Sequence, residues 1–263
     1  MVTISIPITG CSDEPTDQGW VELSKEKVRL TGNIEGLTLT RATDLGFSER
    51  DTILLVVNYP GVGNKYVLAV WDDNQFIPRE DIYYPVTGNL RLAAFYPYNL
   101  YQIHEDTIYG SGTFTYDNII NDPLVAQAYN LTRSDTMVNL NFRHSLSMVK
   151  VNISSGRDYM DEAQIIINNL GFAYDSYGNS IGSYGANVSD TITLDNPLII
   201  PQQGIGLRVR AGDNWLSYNG TIPTESGKIT NIDISVTPSS LNILNAYIKP
   251  WENGDSIGWD IKL

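Results

Sequence analysis

Met137-Val-Asn-Leu-Asn-Phe-Arg-His-Ser-Leu-Ser-Met-Val-Lys-Val-Asn-Ile153 decides the fold class. Val138, Leu140 and Phe142 alternate with polar residues, and Val149, Val151 and Ile153 do the same. A period of two is the mark of a strand with one buried face. His144-Ser145 breaks the alternation, so the stretch predicts two strands, or one strand with a bulge.

The pattern extends outward in both directions. Thr52-Ile-Leu-Leu-Val-Val-Asn58 is a near-continuous apolar run and predicts a buried core strand before the turn Tyr59-Pro-Gly61. Leu37 to Arg41, Lys65 to Trp71 and Leu90 to Phe95 predict further strands. Beyond 155, so do Ala163 to Leu170, Thr191 to Leu194, Gly206 to Ala211, Ile229 to Val236 and Leu241 to Lys249. Pro238-Ser-Ser240 predicts a turn, and 171–190, rich in Gly and Asn, predicts a long hairpin loop. Residues 101–135 predict irregular chain, with a short helix over Asp122 to Ala128 capped by Asp122 and Pro123. Short strands with turns every few residues indicate all-β sandwiches. The expected division is a tether at 1–33, one sandwich at 34–154 and a second at 155–263. Within 12–33 at most a short strand, Lys27 to Leu30, is expected.

Composition narrows the functional classes. A length of 263 residues with 42% hydrophobic content is enough for cores in two ordinary β domains. The formal charge of −13 argues against nucleic-acid binding, which needs a basic surface. A single cysteine excludes an intrachain disulfide framework. That residue, Cys11, stands in Ile8-Thr-Gly-Cys11, ahead of Ser12-Asp-Glu14. The uncharged stretch before it looks like the tail of a lipoprotein signal peptide, with Cys11 as the lipid acceptor. It lacks a basic n-region and a full apolar core. Either the signal starts upstream of Met1, or Cys11 is an ordinary thiol on a tail.

No constellation announces chemistry, and neither catalysis nor a cofactor is expected. His104-Glu-Asp106 lacks the spaced ligands of a metal site. His144 and Ser145 are neighbours on a strand and so face opposite sides, unlike a base and its nucleophile. Gly61-Val-Gly63 is followed by no helix pattern and fits no nucleotide fingerprint. Asp72-Asp-Asn74 and Asp255 read as turn acids rather than calcium ligands. The sequons at Asn130, Asn152, Asn187 and Asn219 read as chance. Trp71, Trp215, Tyr218, Trp251 and Trp259 are scattered, which favours packing over a sugar-stacking platform.

Five ordered motifs over residues 37–254 resemble the fimbrillins, pilin-like surface proteins of Bacteroides-type bacteria. They are Thr40-Arg-Ala-Thr43 with Phe47 and Asp51 to Leu55; Tyr83-Tyr-Pro85 with Leu92-Ala-Ala-Phe-Tyr-Pro-Tyr98; Asp122-Pro-Leu-Val-Ala126; Leu140 to Val151; and Ile232-Asp-Ile234 with Ala246-Tyr-Ile-Lys-Pro-Trp251 and Gly254. The resemblance implies two tandem transthyretin-like β-sandwich domains and a lipoprotein precursor anchored to the outer membrane. It implies a trypsin-like cut after an arginine that ends the first strand, here Arg41, leaving Ala42 as the new N-terminus. Arg29 and Arg50 are other positions open to such a protease.

Loss of Leu37 to Arg41 would leave an edge and an apolar groove for a strand of another pilin subunit. Ile257, Trp259, Ile261 and Leu263 alternate with polar or small residues, as a donor strand would. The same pattern suits a last strand of the chain's own second domain. The expected function is a fimbrial subunit assembled by strand exchange and mediating adhesion to a host or bacterial surface. The alternative is a monomeric surface lipoprotein that binds glycans.

Overall fold

The computed structural model describes residues 21–35, 46–111, 114–115, 123–167, 171–184, 188–192 and 198–250. Cys11, Leu37 to Arg41, Ala42, Trp251, Ile257, Trp259, Ile261 and Leu263 lie outside the described residues. The described chain is built of strands and short 3-10 turns.

The N-terminal part runs through β1 (Leu23–Lys27), β2 (Leu30–Ile34), β3 (Thr52–Tyr59), β4 (Gly63–Asp72), β5 (Gln75–Pro78), β6 (Tyr83–Pro85) and β7 (Leu90–Tyr96). After β8 (Tyr101–His104), β9 (Thr107–Ser111) and β10 (Phe114–Thr115) come β11 (Leu124–Leu131) and β12 (Val138–His144). Seven of these close into a ring in the order β11-β12-β2-β5-β4-β3-β7. Its interior holds Leu30, Ile53, Leu55, Val57, Trp71, Phe76, Leu92, Leu140 and Phe142, among others.

The second part runs through β13 (Leu146–Ser155), β14 (Glu162–Ile167), β15 (Gly171–Asp175), β16 (Ser180–Tyr184), β17 (Val188–Ile192) and β18 (Leu198–Pro201). It ends with β19 (Gly204–Ala211), β20 (Asn214–Ser217), β21 (Ile222–Pro223), β22 (Lys228–Thr237) and β23 (Ser240–Pro250). One sheet has the order β10-β18-β13-β22-β23 and another β17-β14-β19-β20. Val149 and Val151 of β13 and Ile232, Ile234 and Val236 of β22 share a core with Ile165 of β14 and Leu207 of β19. This is sheet-on-sheet packing from alternating inward residues.

A third sheet, β16-β15-β9-β8, lies over the outside of the ring. Leu54 and Val56 of β3, Ala93 and Phe95 of β7 and Val125 of β11 turn outward into its core, with Ile108, Phe172 and Tyr174. Hence the apolar run Thr52 to Asn58 is buried on both faces, and a strand so placed reads as continuous rather than alternating.

His144-Ser145 is the break expected from the sequence. Phe142 enters the ring core, whereas Leu146 and Met148 enter the core beneath the third sheet. Buried Ser145 donates its N–H to the Pro123 carbonyl at 2.8 Å, so the interrupted backbone stays satisfied. The chain changes sheets here, and β13 already pairs with β18 and β22, ahead of residue 155.

Three expectations are corrected. Residues 124–131 are a strand rather than a short helix, because β11 is pinned between β7 and β12 by pairs from Leu124↔Tyr96 to Leu131↔Leu90 and by Leu124↔His144. Within 101–111 the chain forms β8 and β9 rather than irregular chain, and within 171–190 it forms β15, β16 and the start of β17 rather than a long hairpin loop, because these strands cover the apolar outer face of the ring or extend the second sandwich. Leu30–Ile34 is a core strand rather than part of a tether, because it completes the ring.

Candidate functional site

β2 is the ring strand with the least pairing to one of its two neighbours among the described residues. It runs parallel to β12, from Leu30↔Val138 through Ile34↔Phe142. Val138 N–H donates to the Arg29 carbonyl at 2.9 Å, and Glu35 N–H donates to the Phe142 carbonyl at 2.6 Å. On the opposite edge, β2 meets β5 at the single pair Leu30↔Phe76. Among the described residues, Thr31 to Ile34 therefore have strand pairing on one edge. The Thr31 hydroxyl adds one bond across that gap, to the Asn74 carbonyl at 3.0 Å.

The inward face of β2 is Leu30, Gly32 and Ile34. Leu30 is 1% exposed, and burying such a side chain contributes about 1.5–3 kcal/mol. Gly32 has no side chain because aromatic rings occupy the space. A Cβ there would lie 2.8 Å from Phe76 Cε2, 3.1 Å from Phe142 Cε2 and 3.3 Å from the Leu140 carbonyl oxygen. The rings belong to a cluster centred on Phe47, whose centroid lies 5.0 Å from Phe76, 5.1 Å from Phe142, 5.3 Å from Trp71 and 5.5 Å from Tyr96. Trp71 and Phe76 meet edge to face at 4.7 Å. Such contacts hold rings in defined orientations.

The outward face of β2 is polar. Asn33 and Glu35 line a shallow depression with Gln127, Asn141 and Arg143. Asn33 Oδ1 is buried with no hydrogen-bond partner among the described residues, a cost of about 1–3 kcal/mol. Removing β2 would leave a groove between β12 and β5, walled by Val138, Leu140, Phe142 and Phe76.

β1 tethers the same segment outside the ring. It pairs with β6 through Leu23↔Pro85 and Lys27↔Tyr83. Val28 N–H donates to the Ile82 carbonyl at 2.8 Å, and Val86 N–H to the Glu22 carbonyl at 2.7 Å. Lys27 Nζ lies 2.6 Å from Asp81 Oδ2. The hydrogen bond it donates to Asp81 holds the Lys27 ammonium above its ordinary pKa, and Lys27 in turn holds the Asp81 carboxyl below its own.

The site residues expected from the sequence, namely Cys11, Arg41, Ala42, Ile257, Trp259, Ile261 and Leu263, cannot be placed, as they lie outside the described residues. Of the other arginines, Arg29 sits between β1 and β2, and Arg50 follows Phe47 with φ 75° and donates its N–H to the Trp71 carbonyl at 3.0 Å. The sequence reading missed β2 itself. Its signal was the alternation Leu30, Gly32, Ile34, diluted by the glycine.

The remaining candidates have structural surroundings. Trp71 is enclosed in the ring, while Tyr218 packs on the second core. Trp215 is 39% exposed, with the Arg208 guanidinium 4.5 Å from its ring centre. Among the described residues, these aromatics do not share one face. Asp73 and Asn74 take φ 45° and 61° in the two-residue turn joining β4 to β5, a backbone that suits a tight hairpin. Among the described residues, no group of three or more His, Cys, Asp or Glu is placed to hold a metal.

Solved structures with this architecture include proteins of Bacteroides and Parabacteroides. A candidate cell-adhesion protein from Bacteroides uniformis ATCC 8492 is 15% identical, with 86% of this chain and 98% of that chain covered and a TM-score of 0.56. A second, from Bacteroides ovatus ATCC 8483, is 16% identical over 86% and 98%, with a TM-score of 0.55. A fimbrial assembly protein from Parabacteroides distasonis ATCC 8503 is 8% identical over 85% and 98%, with a TM-score of 0.54. At these identities the likeness shows a shared fold. No curated protein matches the chain. The family model described as fimbrillin-like matches residues 40–251, from just ahead of Arg41 through the end of β23. With that match spanning both sandwiches, the chain belongs to the fimbrillin-like family.

Proposed function

We propose that this protein is a non-catalytic fimbrial subunit that assembles by strand replacement at the β2 slot and serves adhesion. Family membership supports the fimbrial role, the cell-surface location and assembly with other pilin subunits. The strand-replacement step rests on one observation: β2 completes the ring, yet among the described residues it is paired along one edge beyond Leu30. A cut after Arg41 by a trypsin-like protease would free β1 and β2 together, since both precede it in the chain.

The vacated edge of β12 then carries unpaired backbone groups above an apolar floor. An incoming strand can satisfy the backbone and place side chains in alternate pockets. A joint between unlike surfaces propagates as an open filament rather than a closed ring. Before the cut, Cys11 would hold the precursor to the outer membrane through lipid. The division into two domains falls at the change of sheet beside Ser145. The tail bearing Ile257, Trp259, Ile261 and Leu263 is a candidate donor to a neighbouring subunit.

The test is digestion of the full chain with an arginine-specific protease, followed by mass measurement and unheated gel electrophoresis. The expected result is a chain beginning at Ala42, free of residues 1–41, that enters heat-labile high-mass ladders. A chain that loses residues 1–41 and stays monomeric under assembly conditions overturns strand replacement. So does a chain whose cut fragment never leaves.

A further inference from the structure

We infer that the β2 slot selects a donor strand with glycine, or at most alanine, at its middle inward position and large aliphatic residues two places to either side. We infer further that the segment Ile257 to Leu263 does not meet that rule and is not the strand seated in this slot. The inference rests on strand replacement at β2.

The slot has three inward positions, held by Leu30, Gly32 and Ile34 opposite Val138, Leu140 and Phe142. The outer two are pockets: Leu30 is buried, and Ile34 packs on the same core. The middle one is filled by protein. The 2.8 Å and 3.1 Å approaches to Phe76 and Phe142 admit a methyl group only if the rings give way by a few tenths of an ångström. A larger side chain would have to displace a ring from a full core, which is an overpacking cost.

The rings remain after the cut. Phe47, Trp71, Phe76, Tyr96 and Phe142 all follow Arg41 in sequence. Phe76 is 1% exposed and Phe142 is fully buried, and each also touches Phe47, so neither ring depends on β2 alone for its position.

The required pattern is aliphatic-x-small-x-aliphatic. It reads the same in both directions, so it holds whether the donor runs parallel or antiparallel to β12. The tail fails it on either face. Ile257, Trp259, Ile261 and Leu263 offer no small residue, and Gly258 has Ser256 and Asp260 two places away. One register puts tryptophan or isoleucine against Phe76; the other puts Asp260 into an aliphatic pocket, where an unpaired carboxylate is strongly disfavoured.

The experiment uses the full chain cut after Arg41 and measures retention of labelled peptides on it. The probes are the peptide of residues 29–35, the same peptide with Gly32→Leu, and the peptide of residues 256–263. The parent peptide is expected to bind, and the other two to bind about tenfold more weakly or worse. A Phe76→Ala chain, or Phe76→Leu if the first does not fold, should restore binding of the Gly32→Leu peptide selectively. Binding of the Gly32→Leu or tail peptide within about threefold of the parent overturns the inference and leaves strand replacement standing. A cut fragment that never leaves overturns strand replacement, and the inference falls with it.

Discussion

β2 and β13 each run parallel to a neighbour, and they are held in different ways. β13 pairs with β22 from Met148↔Ile229 to Ser155↔Ser235 and, on its other edge, with β18 from Leu146↔Pro201 to Val149↔Leu198. Its side chains enter two cores, Met148 into one and Val149 and Val151 into the other. β2 has a parallel partner of similar kind in β12 but touches β5 at one pair, and it sends fewer side chains inward. A strand built into both neighbours and two cores can leave only when the domain unfolds. A strand held along one edge can leave alone, which is what a replaceable element needs.

The sharpest way to break this contrast is to trim one buried side chain in each strand. Met148 and Leu30 are both 1% exposed. Met148→Ala should lower global stability by about 2–5 kcal/mol in chemical denaturation. If β2 detaches before the remainder unfolds, as strand replacement requires, Leu30→Ala should move the same transition by less. Its effect should appear instead as faster amide hydrogen exchange across Thr31 to Ile34, with β13 amides unchanged. Equal shifts of the global transition by the two variants would show that β2 is as integral as β13, and replaceability would fail.

Asn33 gives the opposite manipulation. Its buried Oδ1 has no partner among the described residues, and Asn33→Val removes that acceptor while favouring an extended backbone. β2 should then be held more tightly by about 1–3 kcal/mol. After the Arg41 cut, release of the N-terminal fragment should slow accordingly, as followed by size exclusion over time. Unchanged release would mean that the orphaned oxygen does not contribute to the ease of leaving.

These features were unevenly legible in the sequence. Strands with one dry face or two were plain: Thr52 to Asn58, Lys65 to Trp71, Leu90 to Phe95 and Ile229 to Val236 all lie within observed strands. So was the break at His144-Ser145, since a change of core must interrupt the alternation. The edge elements were not. β2 is short, and its middle inward residue is glycine, because rings from β5 and β12 fill that space; such a position cannot announce burial locally. In the sequence β11 follows Asp122-Pro123 and carries two alanines, local signals for a helix that its long-range pairing with β7 and β12 overrides. The outer sheet of β8, β9, β15 and β16 was hidden because residues such as Gly110, Gly171 and Gly182 dilute its strands with turn-like composition. The family motifs were therefore legible in the sequence, while the geometry of β2 was not.

Tyr59 tests the outer support of the same segment. Its hydroxyl donates to the Tyr83 carbonyl at 3.1 Å, and Tyr83 lies in β6, the partner of β1. Burial pushes the phenol up to about 12. A folded pKa above the unfolded one means that the native state keeps its proton longer. The contribution is complete below pH 10 and is lost as pH rises through about 12. Tyr59→Phe should cost about 1 kcal/mol near neutral pH. It should also flatten the alkaline decline between pH 10 and 12 in denaturation series. A variant with the same alkaline slope as the parent would assign that decline to other groups.

The smallest expected effect is at Lys27 and Asp81, and it is the one that links β1 to the solution outside. Both side chains are about half exposed, so the pair is screened by salt and weak. Its direction is still defined. Asp81 titrates below its ordinary 3.8, so its contribution is present above that value and fades as pH falls through the lowered pKa. Lys27 titrates above its ordinary 10.5, so its contribution is present below that value and fades as pH rises through the raised pKa. Asp81→Asn should therefore speed fragment release slightly at neutral pH and low salt. The difference from the parent should vanish at high salt and at strongly acid pH. A difference that survives high salt would mean that Asp81 acts by positioning Tyr83, whose hydroxyl donates to it at 3.2 Å and whose ring lies under Lys27, rather than through its charge.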